Sequence, residues 1–182
     1  MQIQEAIVAR RTIHSFNSKK VSPQIINRAI RAANYAPCHY LSFPWRFTSL
    51  DANKRDMIAE LAIKIKFIKL GENKKSEENI RSKIITSSHL IVVSQIVEDD
   101  PKKKIEDYAA CSCAIQNLSL SLISDGVGCK WSTGIITTNQ NTYEIAEIDP
   151  ASEEIIGFLF IGYGDIPSPI KRLPISTIFR EK

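Results

Sequence analysis

Two long runs of apolar residues constrain this chain more than any other feature of its sequence. Residues 89–97 (HLIVVSQIV) and residues 155–163 (IIGFLFIGY) are mostly apolar and rich in β-branched or aromatic side chains. Runs of this length and composition are typical of buried strands. Shorter strands are predicted over residues 43–50, where Pro44 favours an edge position, and over residues 129–132. We therefore expect a sheet in the core.

Helix signals occupy most of the remaining chain. Ser22 is a favourable N-cap with Pro23 at the first helical position, and Asp100-Pro101 starts the longest helix, which Gly126 ends. Because helices and strands are mixed without regular βαβ alternation, the predicted fold class is α+β. Further helices are predicted over residues 2–10, 51–70 and 139–148.

Two details of the helical pattern concern the region between the first two strands. The charged and polar stretch at residues 71–83 predicts a loop with a short helix. The helix before it carries an apolar line that consists of Ile58, Leu61, Ile65 and Ile68.

The length of 182 residues suits one compact domain. We assign this domain to residues 1–164. Residues 165–182 contain Pro167, Pro169 and Pro174, and a proline-rich segment of this length does not form a core element of its own. We expect this C-terminal extension to reach toward a partner subunit.

Composition excludes several classes of protein. No run approaches the roughly 20 apolar residues of a membrane span, and the first residues lack the pattern of a secretory signal. The formal net charge of +4 permits an anionic ligand without indicating a nucleic-acid-binding protein. Cysteines without any C-x-x-C pair predict reduced thiols and a cytoplasmic location. They are Cys38, Cys111, Cys113 and Cys129.

Familiar catalytic and nucleotide-binding motifs do not occur in the sequence. There is no G-x-G-x-x-G after a strand, no P-loop and no G-x-S-x-G elbow. The histidines, His14, His39 and His89, have no partners at metal-ligand spacing, so no metal site is predicted. If the protein is an enzyme, we expect a cofactor to supply the chemistry.

Basic residues fall in two segments that are expected to be irregular. Arginine binds phosphate through paired N–H donors, and a threonine hydroxyl adds another donor. Convergence of the two segments on one phosphate would explain both, and the alternative is solvated surface charge. The residues are Arg10, Arg11, Thr12 and His14 in one segment and Lys171 and Arg172 in the other.

Two further segments could contact a flat ring. Residues 36–45 (APCHYLSFPW) form a loop rich in aromatic and polar groups, which could stack on a heterocycle or form an aromatic rim of the core. Residues 126–134 (GVGCKWSTG) are bracketed by glycines. Glycine permits close approach of the backbone to a ligand, although helix capping at Gly126 and a turn at Gly134 would also account for these positions.

Five segments in a fixed order link these features to a known family. They are Arg10-Arg11-Thr12, Ala36-Pro37 with Pro44-Trp45-Arg46-Phe47, Ala114-Ile115-Gln116-Asn117-Leu118, Gly126-Val127-Gly128 followed by Trp131, and Ile161-Gly162-Tyr163-Gly164 with Lys171-Arg172-Leu173-Pro174. As an ordered set they resemble the nitroreductase family of FMN-dependent oxidoreductases. The resemblance covers nearly the whole chain and is closest to the short members.

The resemblance implies a sandwich of helices around a mostly antiparallel sheet, in an intertwined homodimer with two FMN molecules at the interface. The chemistry then takes place on FMN, and no catalytic side chain is predicted. The implied phosphate-binding residues are Arg10, Thr12, His14 and Arg172, and Arg11 and Lys171 are also expected among the cofactor-binding residues. The implied ring-binding residues are Pro37, Cys38 and His39 of the other subunit, with Trp131, Ser132, Thr133 and Gly134.

Three departures from the family pattern distinguish this chain. His14 stands where Arg or Lys is usual, and because histidine is only partly charged near neutral pH, a weaker or pH-sensitive phosphate contact is expected. Leu41 and Phe43 replace amide side chains, and Cys38 stands where Ser is common. We expect these changes to affect the affinity for FMN and the range of substrates.

Three functions remain open from the sequence. The leading prediction is an oxidoreductase that uses NADH or NADPH to reduce nitroaromatics, quinones or similar conjugated acceptors by ping-pong hydride transfer through FMN. The alternative is an FMN-binding storage or delivery protein with little turnover. The third is a small basic interaction protein, supported only by the net charge and the run Lys102-Lys103-Lys104.

Overall fold

A four-stranded sheet forms the centre of the molecule in the computed structural model, which describes residues 1–71 and 73–181. Every neighbouring pair of strands in this sheet is antiparallel. The two apolar runs of the sequence become its central strands, and the two shorter strands become its edges. In spatial order the strands are β1 (Trp45–Ser49), β2 (His89–Ile96), β4 (Glu153–Gly162) and β3 (Gly128–Ser132).

Helices cover both faces of the sheet. One layer contains the first, second and fifth helices, and the other contains the third, fourth and sixth. The prediction of an α+β fold with a mostly antiparallel sheet is confirmed. The helices are α1 (Ile3–Ala9), α2 (Pro23–Asn34), α3 (Ala52–Leu70), α4 (Lys74–Thr86), α5 (Pro101–Ser124), α6 (Gln140–Ala146) and the single turn α7 (Ile175–Ile178).

The central strands are largely apolar because helices cover both faces of the sheet; Ser94 and Gln95 of β2 are buried polar exceptions. Ile91 and Val93 of β2 pack into the core cluster beneath α2 and α5. Leu90 and Val92 pack into the cluster on the opposite face. Successive side chains of a strand point to opposite faces, so burial on both sides converts an alternating pattern into a continuous apolar run.

Local signals fixed the ends of the long helices as expected. The Ser22 hydroxyl accepts a hydrogen bond from the Ile25 N–H at 3.5 Å at the start of α2. The Asp100 carboxylate accepts one from the Lys102 N–H at 2.8 Å at the start of α5. Gly126 follows α5 with φ of +70°, which only glycine adopts at little cost.

The region between β1 and β2 differs from the expectation in two respects. Residues 74–86 form one 13-residue helix, α4, instead of a loop with a short helix; Asn73 caps it by accepting a hydrogen bond from the Ser76 N–H at 3.0 Å. The apolar line predicted for α3 was wrong at its end. Ile68, in the last turn, is 80% exposed, whereas Ile63 is buried.

The C-terminal extension adds no layer to the sandwich. It contains only the single turn α7, and its large apolar side chains are 59–74% exposed. Such a concentration of exposed apolar groups is typical of a segment that packs against another molecule. These residues are Ile166, Ile170, Leu173, Ile175, Ile178 and Phe179. Separately, no helix within the described residues is both long enough and apolar enough to cross a bilayer.

Candidate functional site

The segment after α1 is fixed against one end of the sheet. Thr12 forms an isolated parallel bridge with Cys129 of β3, and the Ile13 N–H donates to the Cys129 carbonyl at 3.3 Å. The Ile13 side chain is 2% exposed. A β-carbon added to Gly128 would lie 2.1 Å from the Ile13 side chain, so the close approach depends on this glycine. The positions of Arg10 to His14 are therefore set by the sheet.

This fixed segment and the C-terminal extension form a basic cleft. The cleft has a volume of about 340 Å³. It brings together four of the predicted phosphate-binding residues near the N-terminus with one from the extension, although these lie about 160 positions apart in the sequence. Its lining residues are Arg10, Arg11, Thr12, His14, Pro167, Ile170 and Arg172. Lys171, also predicted here, is exposed and does not line this cleft.

The arginines of the basic cleft retain unused hydrogen-bond donors. One terminal nitrogen of Arg11 donates to the Arg10 carbonyl at 2.8 Å and also to the Val8 carbonyl, which holds the side chain in place. The Nε atoms of Arg10 and Arg11 are buried and have no partner among the described residues. A buried donor without a partner is costly, so these atoms favour binding of an anion in the cleft.

A second cleft lies on the other side of His14, against α4. It has a volume of about 330 Å³ and is lined by the His14–Phe16 segment and by polar residues of the helix. The sequence analysis did not single out these residues, because it predicted only a short helix with a loop where α4 forms. Residues three or four positions apart lie on the same face of a helix. A correct assignment of the helix would therefore have grouped these polar residues on one face. They are Asn79, Ser82, Lys83 and Thr86.

Lys130 extends the positive charge of this region. Its ammonium group lies 5.9 Å from the centre of the Phe160 ring. Burial, followed by the nearby Lys83, lowers the pKa of Lys130 to about 8. Two neighbouring ammonium groups repel each other, and an anion bound between them and His14 would reduce that repulsion.

The loop with Pro37, Cys38 and His39 lies elsewhere in the same chain. His39 contacts Glu106 of α5, with 3.0 Å between its Nδ1 and a carboxylate oxygen. In contrast, α1, which leads into the basic cleft, packs near Ser121 of α5. From Glu106 to Ser121 a helix rises about 22 Å. None of Pro37, Cys38 and His39 lines the basic cleft of the same chain.

Residues 131–134 comprise the last two residues of the edge strand β3 and the turn that follows it. The Trp131 ring lies 6.3 Å from the Tyr108 ring, and its Nε1 is buried with no partner among the described residues. A β-carbon on Gly157 would lie 2.1 Å from that nitrogen, so glycine there makes room for the indole. Gly134 has a φ of +132°, which confirms a turn that requires glycine.

Thr133 lines a different cavity from the basic cleft. This cavity measures about 620 Å³ and lies between the start of α5 and the ends of β2 and β4. Its lining includes Gln95, Ile105 and Tyr108. The predicted site residues thus fall into three groups: the basic cleft, the Pro37–His39 loop and residues 131–134 at the end of β3.

Comparison of the sequence with known families gives one match. A model described as the nitroreductase family matches residues 7–163. The chain is 27% identical over 182 residues to a protein of Bacillus subtilis (strain 168) named "Putative NAD(P)H nitroreductase YfhC", covering 98% of this chain and 93% of that protein. It is 22% identical over 163 residues to "Putative NAD(P)H nitroreductase YdjA" of Escherichia coli (strain K12), covering 89% and 88%.

Solved structures share the fold over the full length of the chain. A nitroreductase-like family protein from Bacillus cereus superposes with a TM-score of 0.85 at 24% identity, covering 100% of this chain and 96% of that one. A structure described as "a putative nitroreductase in complex with fmn", from Desulfovibrio desulfuricans, gives a TM-score of 0.78 at 20% identity, covering 100% and 97%. At these identities the likeness is one of fold.

Proposed function

This chain belongs to the nitroreductase family, and from that premise we propose that it uses NAD(P)H to reduce small conjugated acceptors, such as nitroaromatics or quinones, by ping-pong hydride transfer. The family membership confirms the coarser prediction of an FMN-dependent NAD(P)H oxidoreductase. The acceptor class, the kinetic order and the residues that hold the cofactor are our proposal.

The basic cleft is the observation that carries this proposal. Its guanidinium, imidazole and hydroxyl groups are the donor set that a phosphate monoester requires. The buried Nε atoms of Arg10 and Arg11 supply donors that lack protein partners among the described residues. The residues present therefore fit the phosphate end of FMN, and Arg10, Arg11, Thr12, His14 and Arg172 would hold it.

The remaining residues would orient and shield the ring system. Bound FMN would supply the redox chemistry, the transfer of a hydride equivalent from NAD(P)H to the acceptor. Trp131 and the Gly134 turn offer an aromatic wall and an exposed backbone segment beside the sheet edge. Lys83 shares a cleft with His14, and Lys130 lies beside Lys83. Their positive charge would stabilise negative charge that develops in the site.

We propose that each site is completed by a second copy of the chain. The Pro37–His39 loop does not line the basic cleft of its own chain, so its contact with the cofactor would come from the loop of another subunit. The exposed apolar side chains of the C-terminal extension supply a surface for such an assembly. The four cysteines are free thiols, which fits a reducing compartment such as the cytoplasm.

An absorbance spectrum of the purified protein is the first test. A flavin spectrum, with FMN identified in the heat-released supernatant, supports the cofactor assignment, and a colourless protein that does not bind added FMN contradicts it. Anaerobic mixing with NADH or NADPH then separates the alternatives. In an oxidoreductase, the flavin absorbance is lost within one catalytic turnover because NAD(P)H reduces the FMN rapidly. In a storage or delivery protein, FMN is bound but is reduced slowly.

A further inference from the structure

The loop at residues 38–43 has an unusual backbone. Three of its non-glycine residues have positive φ: Tyr40 at 59°, Leu41 at 52° and Phe43 at 45°. L-amino acids disfavour this left-handed region, and residues held there cluster at functional sites where the surroundings fix them. Something must therefore hold this loop against its own conformational preference.

Two adjacent residues of α5 hold the loop from below. The Ser42 hydroxyl donates a hydrogen bond of 2.8 Å to Asp107. His39 lies 3.0 Å from the Glu106 carboxylate. Within the loop, the Phe43 N–H donates to the Cys38 sulfur at 3.3 Å. The loop is thus closed on itself and attached to the helix at two points.

Asp107 is the more unusual of the two attachments. Asp107 is 2% exposed, whereas the His39 side chain is 63% exposed and the Glu106 side chain 27% exposed. The second carboxylate oxygen of Asp107 has no partner among the described residues. Cys111 lies one turn further along α5. Burial, and after it the negative charge of Asp107, raises the pKa of the Cys111 thiol to about 12.

A buried carboxylate is costly to a fold unless its hydrogen bonds compensate. Among the described residues, the side-chain hydrogen bond that Asp107 accepts comes from the loop. We propose that Asp107 is a positioning residue that holds the loop, through Ser42, in the conformation that forms the acceptor side of the partner subunit's flavin site. This inference rests on the proposed function.

The consequence of this geometry is an apolar rim. The side chains of Tyr40, Leu41 and Phe43 point outward and are 62%, 71% and 45% exposed. A left-handed backbone at these positions turns large apolar side chains away from the chain's own core. If the loop relaxed, the rim would lose its shape, and acceptors with flat apolar rings would bind less well.

The test compares FMN-loaded wild type with Ser42→Ala, Asp107→Ala and Asp107→Asn. Ser112→Ala is the matched control, because the Ser112 hydroxyl donates only to the Tyr108 carbonyl within α5. Two quantities are measured: peptide-resolved hydrogen exchange over residues 38–43, and kcat and KM with 1,4-benzoquinone as acceptor. Hydrogen exchange reports on the loop independently of activity.

Loss of the Ser42–Asp107 hydrogen bond should raise exchange of the loop amides roughly tenfold in Ser42→Ala and Asp107→Ala. The KM for the quinone should rise about threefold or more, with a smaller change in kcat. Asp107→Asn keeps an acceptor oxygen and should remain close to wild type in both. If Asp107→Ala does not fold, Ser42→Ala carries the test.

Two results would overturn the inference. One is that hydrogen exchange in the variants rises equally throughout α5 and the sheet while the KM for the quinone stays unchanged. That result would mean that Asp107 contributes to folding alone. The other is Ser42→Ala behaving like Ser112→Ala in both measurements. A wild-type protein that binds no FMN would instead overturn the proposed function, a result that the initial spectrum detects before any variant is compared.

Discussion

Gly164 lies so close to Ser15 that a β-carbon built on the glycine would be 2.0 Å from the Ser15 carbonyl oxygen. The end of β4 and the loop that carries His14 are therefore in direct backbone contact. Asn17 strengthens this contact, because its N–H donates to the Tyr163 carbonyl at 2.9 Å. The shape of the basic cleft depends on a glycine that contributes no atom to its lining.

Gly164→Ala should displace the His14 loop, because the clash is with backbone rather than with a flexible side chain. We expect a loss of about 1–3 kcal/mol in the free energy of unfolding and weaker FMN binding. Urea denaturation and FMN titration measure the two effects. Ser168→Ala, in the exposed extension, is the control. Unchanged FMN affinity in Gly164→Ala would show that the loop tolerates displacement.

Arg10→Ala should weaken FMN binding by about 1.5–3 kcal/mol, the range for a hydrogen bond to a charged group. Riboflavin, which lacks the phosphate, should lose much less affinity. Titration of both ligands by flavin fluorescence separates the two cases. Arg31→Ala, at an exposed position of α2, should change neither affinity. Equal losses for FMN and riboflavin would mean that Arg10 acts through folding.

His14 should make FMN binding sensitive to pH. Histidine loses its positive charge in the neutral range, so the affinity of wild type for FMN should decline as the pH rises from 6 to 9. His14→Arg should bind tightly throughout, and His14→Gln weakly throughout. FMN titrations of the three proteins at several pH values test this. Parallel profiles for wild type and His14→Gln would exclude His14 from the phosphate site.

Lys130 should make the cofactor-free protein more stable at alkaline pH. Folding lowers the pKa of Lys130 from 10.5 to about 8, so between these values the unfolded chain binds more protons and stability rises with pH. Lys130→Met should lack this rise. At pH 7, where the partly buried ammonium destabilises the folded wild type, Lys130→Met should be about 1 kcal/mol more stable than wild type. The gain is small because solvent screens the partly exposed ammonium.

Denaturant midpoints at pH 7 and pH 10 measure the effect of Lys130. Lys69→Met, at an exposed position of α3, serves as the matched control and should change stability little at either pH. A Lys130→Met protein with the same pH profile as wild type would mean that the Lys130 ammonium is fully solvated in the folded state.

The C-terminal extension should be needed for assembly. Ile178→Asp places a charge on a side chain that is 73% exposed in a single chain. If that side chain is buried against a second subunit, sedimentation should show dissociation at micromolar concentration, with reduced FMN content. Ile68→Asp, at 80% exposure on α3, should leave the oligomer intact. A wild-type monomer that retains FMN would contradict the proposed assembly.

The sequence predicted those features that depend on short local patterns. The buried strands β2 and β4 and the caps of α2 and α5 were found because apolar runs, proline at N1 and a following glycine have local causes. The helix α4 was predicted only as a short helix with a loop, because its residues are largely polar and only Ile84 is fully buried, which leaves a weak amphipathic pattern. Ile68 was misplaced because periodicity does not show where a helix leaves the core.

In the candidate site, too, the sequence predicted residue types but not the contacts that depend on tertiary packing. Residue type alone indicated that Arg10 and Arg172 suit a phosphate, and the structure places both on one cleft. The position of Lys83 beside His14 follows from the packing of α4 against the sheet end, which no local pattern encodes. The attachment of Ser42 to Asp107 joins residues 65 positions apart, and it too required the structure.

The absence of the Pro37–His39 loop from the lining of the basic cleft in the same chain has a genetic consequence. If each site takes the cleft of one chain and the loop of another, a chain defective in the cleft and a chain defective in the loop repair each other when mixed. Random pairing of equal amounts in a symmetric dimer leaves about a quarter of all sites intact, each built from the two sound halves. Two alleles that are inactive alone would then complement within one gene, whereas two cleft alleles would not.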